Sequence, residues 1–295
     1  MTRGDPTADD DLRARTVSGV AWSLEARALK VGLQFVISVV LARLLTPDDF
    51  GLLGMIVVFT GFASLFTDLG FSAALVQRTE VEERHRTSIF WVNLTAGAAV
   101  GALVFGTAPL LAAFYDEPRL VAITQLVAFN FLLGSLNVVQ TGLLRRRLDF
   151  RSLALVEVLS VLGGGGVGIL LAVSGQGVYS LVWKMLVGTA VSVAAMWWML
   201  DWRPKAAFDM GAVKEVIGFS GNLLGFQTFN YWVRSFDDLL IGRVVGSSGL
   251  GIYSRAYESM LIPMRQVSRV VGRVMFPSLS KIQEDRERVK HVYLR

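Results

Sequence analysis

The apolar residues of this chain gather into eight long blocks: Val17 to Leu45, Phe50 to Val76, Thr87 to Phe114, Leu120 to Leu144, Leu153 to Val173, Val178 to Leu200, Val216 to Ile241 and Leu250 to Phe276. A helix rises 1.5 Å per residue, so about 20 residues cross a hydrocarbon core roughly 30 Å thick. Every block is that long. The pattern predicts an all-α, polytopic membrane protein with about eight transmembrane helices.

The polar stretches between the blocks alternate in charge. With the N-terminus in the cytoplasm, the inner segments hold Arg3, Arg13 and Arg15; Arg78, Arg84 and Arg86; Arg145, Arg146, Arg147 and Arg151; Arg203, Lys205 and Lys214; and Lys281, Arg286, Arg288, Lys290 and Arg295. The outer loops hold only Arg43, Arg119 and Arg243. Eighteen cations against 3 is the asymmetry of the positive-inside rule, and it sets this topology. The outer connections are short turns at Thr46 to Asp49, Tyr115 to Arg119, Ser174 to Gly177 and Gly246 to Gly249, too small for an external catalytic domain.

Composition narrows the chemistry. Hydrophobic residues fill 53% of 295 positions and mean hydropathy is +0.51. The net charge of +5 and pI near 9.7 follow from cations dispersed over inner loops without interleaved aromatics, which argues against a nucleic-acid partner. With no cysteine, thiolate metal sites, disulfides and thiol catalysis are excluded; His85 and His291, both in polar segments, make no metal cluster. No metal and no cofactor is expected.

Residues 1–16 form a polar cytoplasmic N-terminus without the features of a removable signal peptide. Residues 17–205 read as a first six-helix bundle. Residues 206–295 read as the start of a second bundle, with two helices and the entry to a third.

An internal repeat at an offset of 200 supports that division. Ala42-Arg43-Leu44-Leu45-Thr46-Pro47-Asp48-Asp49-Phe50-Gly51-Leu52 parallels Gly242-Arg243-Val244-Val245-Gly246-Ser247-Ser248-Gly249-Leu250-Gly251-Ile252, with Arg and Gly recurring in place. Both copies sit at an outer turn between a unit's first two helices. Six spans separate them, which makes the repeat parallel in the membrane. On this reading the second bundle is incomplete and about four spans are missing.

Eight cations fall inside spans: Arg27, Lys30, Lys184, Arg234, Arg255, Arg265, Arg269 and Arg273. Six anions share that environment: Glu25, Asp68, Glu157, Asp237, Asp238 and Glu258. A cation at the bilayer centre costs about 2.5 to 3.5 kcal/mol on insertion scales, so these groups must snorkel, pair or line a wet cavity. Lys184, Arg255 and Arg273 lie near helix ends and suit snorkelling. Arg234 precedes Asp237 and Asp238 by three and four residues, which leaves local pairing and ligand contact both open.

Arg27 and Lys30 share one helix face, with no neutralising partner within reach on their own helix. Arg265 and Arg269 form a second stripe below Pro263, which bends its helix. For these four, a cationic cavity and interhelical salt bridges are both open. A cationic cavity calls for anionic cargo, and the planar Arg fork suits a lipid diphosphate. For Asp68 and Glu157, a coupled H+ or Na+ step and a structural pairing are both open. The run Gly163 to Gly166 with Gly168 lacks the Lys-Ser/Thr of a phosphate loop and predicts close helix packing.

The segment Leu41-Ala42-Arg43-Leu44-Leu45-Thr46-Pro47-Asp48-Asp49-Phe50-Gly51, followed by Asp68-Leu69-Gly70-Phe71-Ser72-Ala73-Ala74-Leu75-Val76-Gln77-Arg78, resembles the Wzx-type polysaccharide flippases of the multidrug/oligosaccharidyl-lipid/polysaccharide exporter superfamily. Gly251-Ile252-Tyr253-Ser254-Arg255-Ala256-Tyr257, Pro263 and Phe276-Pro277-Ser278-Leu279-Ser280 extend the resemblance over essentially the whole chain. It implies about twelve to fourteen helices in a two-bundle exporter fold. It further implies alternating access that carries an undecaprenyl-diphosphate-linked oligosaccharide across the bacterial inner membrane for lipopolysaccharide, capsule or exopolysaccharide synthesis. The cavity cations would be Arg27, Lys30, Arg265 and Arg269, with Arg234 assisting. A polysaccharide polymerase and export machinery are the implied partners, besides lipid.

Two rivals remain. A cation-coupled multidrug exporter of the same superfamily favours an acidic cavity, against the cationic excess within these spans. A membrane glycosyltransferase or polymerase needs paired carboxylates at an aqueous face or a long outer loop, and neither is visible. The chain reads as a transporter, not an enzyme.

Overall fold

The computed structural model describes residues 28–67, 82–147, 149–211 and 221–261, and among them every regular element is helical. In chain order they are α1 (28–44), α2 (Pro47–Ser64), α3 (Glu83–Tyr115), α4 (Leu120–Ser135), α5 (Val138–Arg146), α6 (Phe150–Val173), α7 (Val178–Met199), α8 (Gly221–Val244) and α9 (247–261). Their ends follow from local chemistry. Thr46 and Asp49 make a reciprocal capping box at the start of α2: the Asp49 amide donates to Thr46 Oγ1 at 3.3 Å and the Thr46 amide donates to Asp49 Oδ2 at 2.9 Å. Pro47 occupies the first turn, where a missing N–H costs nothing. Asp116, at φ 57°, ends α3 in the left-handed region, and Asp149 caps α6 by accepting from the Ser152 amide at 3.0 Å.

Among the described residues, four helical stretches are long and apolar enough to cross a membrane: Glu83–Tyr115, Leu120–Arg146, Phe150–Val173 and Val178–Met199. Their outward faces stay apolar and open, with Leu110 70%, Leu170 68% and Trp198 86% exposed. Such a surface is stable against lipid and not against water. The chain is a polytopic membrane protein. α8 carries Arg234, Asp237, Asp238 and Arg243 and is too charged to join these four.

The block Leu120 to Leu144 differs from the continuous span expected of it. It breaks at Leu136 and Asn137, where the ladder tightens into Leu136 N–H to Leu133 O (3.2 Å) and Asn137 N–H to Gly134 O (3.0 Å). Ser135 Oγ donates back to the Leu132 carbonyl at 2.7 Å, and Trp197 Nε1 donates to the Leu136 carbonyl at 3.2 Å. A Gly-Ser pair with side chains inserted into the ladder is a recognised cause of a kink.

Glycine sets the closest helix contacts. Gly164 lies against the Lys184 carbonyl and Gly188, and Ser160 Oγ donates to the Gly188 carbonyl at 2.7 Å, so the glycine run of α6 packs on α7 as predicted. Gly97 and Gly101 bring α3 onto α4 in the same way. The largest apolar core joins Met55 and Ile56 of α2, Leu111 of α3, Ile123 of α4, Val182 of α7 and Leu250 of α9.

Up to Gly251, the connections sort to two ends. At one end, Asp48 pairs with Arg119 (2.8 Å) and accepts from Ser247, which joins the turns before α2, α4 and α9. At the other, Trp202 Nε1 donates to Glu83 (3.0 Å), the Asp209 amide to Ser88 Oγ (2.9 Å) and Trp91 Nε1 to the Lys205 carbonyl (2.9 Å). Residues from Ile252 onward belong to a second compact unit. Its described part, 252–261, is helical, with Tyr253 stacked on Tyr257 and Arg255 paired to Glu258 at 3.3 Å.

Candidate functional site

Of the residues expected to line a cationic cavity or to serve coupling, Arg27, Asp68, Arg265 and Arg269 lie outside the described residues. The structure brings Lys30 and Glu157 together. Lys30 Nζ of α1 donates to Glu157 Oε2 of α6 at 3.0 Å, across 127 residues of sequence. Glu157 lies seven residues into α6, roughly 10 Å along the helix from its start. The side chains are 27% and 52% exposed, so the pair sits at the edge of the packed helices and not in their core. Two opposite charges held together in a membrane-spanning bundle are far less costly than two separate ones. One ammonium proton faces Glu157; the geometry leaves the others for a further acceptor.

Arg234 is exposed on α8, and among the described residues no ion pair joins it to Asp237 or Asp238. One turn earlier, Tyr231 Oη donates to the carbonyls of Val58 (2.7 Å) and Val57 (3.1 Å), fastening α8 to α2. Phe62 packs against the Tyr231 and Trp232 rings on the same contact. Arg234 stands on the flank of that interface. The stem of Lys184 lies against Gly168.

Sequence reasoning missed the cluster that the turns build at the end holding Asp48. Arg119 grips Glu117 with two parallel bonds, Nε to Oε1 and Nη2 to Oε2, both 2.8 Å, and reaches Asp48 Oδ2 with Nη1 at 2.8 Å. The hydrogen bond from Arg119 is the main reason the Glu117 carboxyl sits below its ordinary range. Burial pushes the Asp48 carboxyl up, but hydrogen bonds from Ser247 and Arg119, with the Arg119 charge, outweigh it and hold Asp48 low. Bonds to Glu117 and Asp48 raise Arg119 in turn. The Thr46-to-Asp49 spacing of a capping box was a local signal that this turn is rigid.

At the opposite end, Arg203 closes α7. Its guanidinium donates to the carbonyls of Trp197 (2.6 Å), Trp202 (2.9 Å) and Leu200 and stacks over the Trp197 ring at 5.4 Å. His85 is buried and accepts from the Glu82 amide at 3.3 Å, a helix-capping role. Among the described residues no three His, Asp or Glu side chains group as a metal site.

A helical membrane bundle with charged side chains held between spans defines a class, and the comparisons with known proteins narrow it. The profile of a family described as polysaccharide biosynthesis protein matches residues 40–295, and the chain belongs to that family. It is similar to the teichuronic acid biosynthesis protein TuaB of Bacillus subtilis (strain 168), 28% identical over 94% of this chain and 58% of that one. It is similar also to the lipopolysaccharide biosynthesis protein WzxC of Escherichia coli (strain K12), 26% identical over 95% and 57%. A third relative is the succinoglycan biosynthesis transport protein ExoT of Rhizobium meliloti (strain 1021), 29% identical over 94% and 56%. The Wzx-type resemblance read from the residues is thereby borne out. The chain spans less than three fifths of the length of these relatives. No solved structure matches it.

Proposed function

We propose that this protein moves an undecaprenyl-diphosphate-linked oligosaccharide across the bacterial inner membrane, from inner to outer leaflet, with its N-terminus in the cytoplasm. The observation that carries this reading is the family match over residues 40–295 of a chain whose spans hold more cations than anions. Three relatives carry names in polysaccharide biosynthesis, and one of those names includes transport. In this reading Lys30 holds Glu157 until a cargo phosphate replaces the carboxylate. Arg27, Arg265, Arg269 and Arg234 supply the remaining positive field, and Asp68 and Glu157 are the carboxylates available to an H+ or Na+ step. A polymerase and export machinery receive the flipped cargo, and the protein forms no covalent bond with it.

Deletion of the gene tests the proposal. Lipid-linked repeat units should accumulate in the inner leaflet and surface glycan should fall. Complementation with Arg265→Ala should express at normal levels and restore little export. A deletion strain with normal glycan and no trapped intermediate would remove the assignment.

A further inference from the structure

The offset of 200 makes Pro47 equivalent to Ser247 and Gly51 equivalent to Gly251. In the structure each glycine meets the first helical residue of the other copy. A Cβ on Gly51 would run into the carbonyl oxygen of Ser247, and a Cβ on Gly251 would run into the carbonyl oxygen of Pro47. The second would also lie 3.0 Å from the Gly51 amide nitrogen. Exchanging the two copies turns one contact into the other, which is the signature of a two-fold axis, here inside one chain. The glycine identity in a weakly matching repeat therefore has a physical cause: two backbones touch where no side chain fits.

Side chains then lock this contact. Asp48 accepts from the Ser247 hydroxyl of the second copy and from Arg119, which Glu117 holds in place. Beneath the lock, Leu250 is fully buried among Leu52, Met55 and Ile56. The seal is thus a polar clasp over an apolar plug, at the end of the chain that the loop charges assign to the outer face.

We infer that the turns 46–51 and 246–251 form the outer gate of the transport path, meeting about a pseudo-two-fold axis, with Asp48 as the latch across them. This rests on the flippase reading, in which two like halves must part at the outer face to release cargo. Gly51 and Gly251 set the closeness of the closed state, and the exchangeable bonds of Asp48 let it open.

These 295 residues hold no cysteine, which simplifies the test. In the full-length protein, with any cysteine outside them replaced by serine, Asp48→Cys with Ser247→Cys introduces a single pair of thiols. Oxidation should cross-link them, reduce glycan export about tenfold or more, and release the block on reduction with dithiothreitol. A cross-linked protein with unimpaired export would overturn the gate and leave the flippase reading standing, whereas absence of any cross-link would overturn the contact itself. Loss of the flippase reading has its own signature, normal export in the deletion strain. Should the double variant fold poorly, Ser247→Cys alone is labelled with a membrane-impermeant thiol reagent. Adding Asp48→Asn should speed that labelling severalfold, and an unchanged rate would refute the latch.

Discussion

Two charge pairings hold helices together here, and they are built differently. At the end that holds Asp48, this residue, Glu117 and Arg119 form a network with two parallel bonds, a hydroxyl donor and a backbone contact through Gly51 and Gly251. Between α1 and α6, Lys30 and Glu157 share one bond between long, partly exposed side chains. The first arrangement fixes geometry, since its rotamers are held by several partners at once. The second fixes little beyond charge neutrality and exchanges one partner for another at small cost. The proposed transport would use both kinds, a joint that defines a state and a pair that a ligand can displace.

The largest effect should come from filling the glycine contact. Gly51→Val leaves the Ser247 carbonyl nowhere to go and should destabilise the fold by more than about 3 kcal/mol, seen as loss of monodisperse protein in detergent. If Gly51→Val gives normal yield and thermal midpoint, the backbone contact is not what closes these turns.

The exchangeable pair comes next. Lys30→Ala should lower export about tenfold while Glu157→Gln should lower it much less, because a phosphate ligand needs the cation and not its resting partner. Equal losses in the two single variants, with no further loss in the double, would reduce the pair to a structural tie.

A smaller effect separates the two pairings by pH. Asp48 and Glu117 are both held below their ordinary values, so the stability they add is present above about pH 4 and lost as pH falls through the lowered folded-state values. The thermal midpoint should drop over that acid range, and Asp48→Asn with Glu117→Gln should flatten the dependence. A profile identical in the double variant would mean that other carboxylates carry it.

The smallest effect lies within α5. Gln140 is fully buried, and among the described residues neither of its amide atoms has a hydrogen-bond partner. Gln140→Leu should therefore raise stability by about 1–2 kcal/mol, read as a higher midpoint in detergent. A lower midpoint would show that the amide has a polar occupant to serve.

Most of the helix pattern was legible in the sequence because membrane length is written in consecutive apolar residues. The blocks ending at Phe114, Val173 and Leu200 match helices ending at Tyr115, Val173 and Met199. The break at Leu136 was hidden, since Leu120 to Leu144 stays apolar through it; the Gly134-Ser135 pair was its only mark. Lys30 and Glu157 were both picked out, yet their meeting was not, because 127 residues separate them and no helical spacing reaches across. The Asp48 cluster was not read from its short turns, although the repeat already named Gly51 and Gly251. Identity at a glycine carries more information than identity at an apolar residue, because fewer environments demand it.

The stretch that leaves α7 ties two spans to each other. Arg203 seals the helix end, Trp202 is tied to Glu83, the Lys205 carbonyl to Trp91, and Asp209 to both Ser88 and Arg84. Residues 201–209 are thus strapped along the start of α3. A tilt of α3 carries the exit of α7 with it, so these two spans act as one lever.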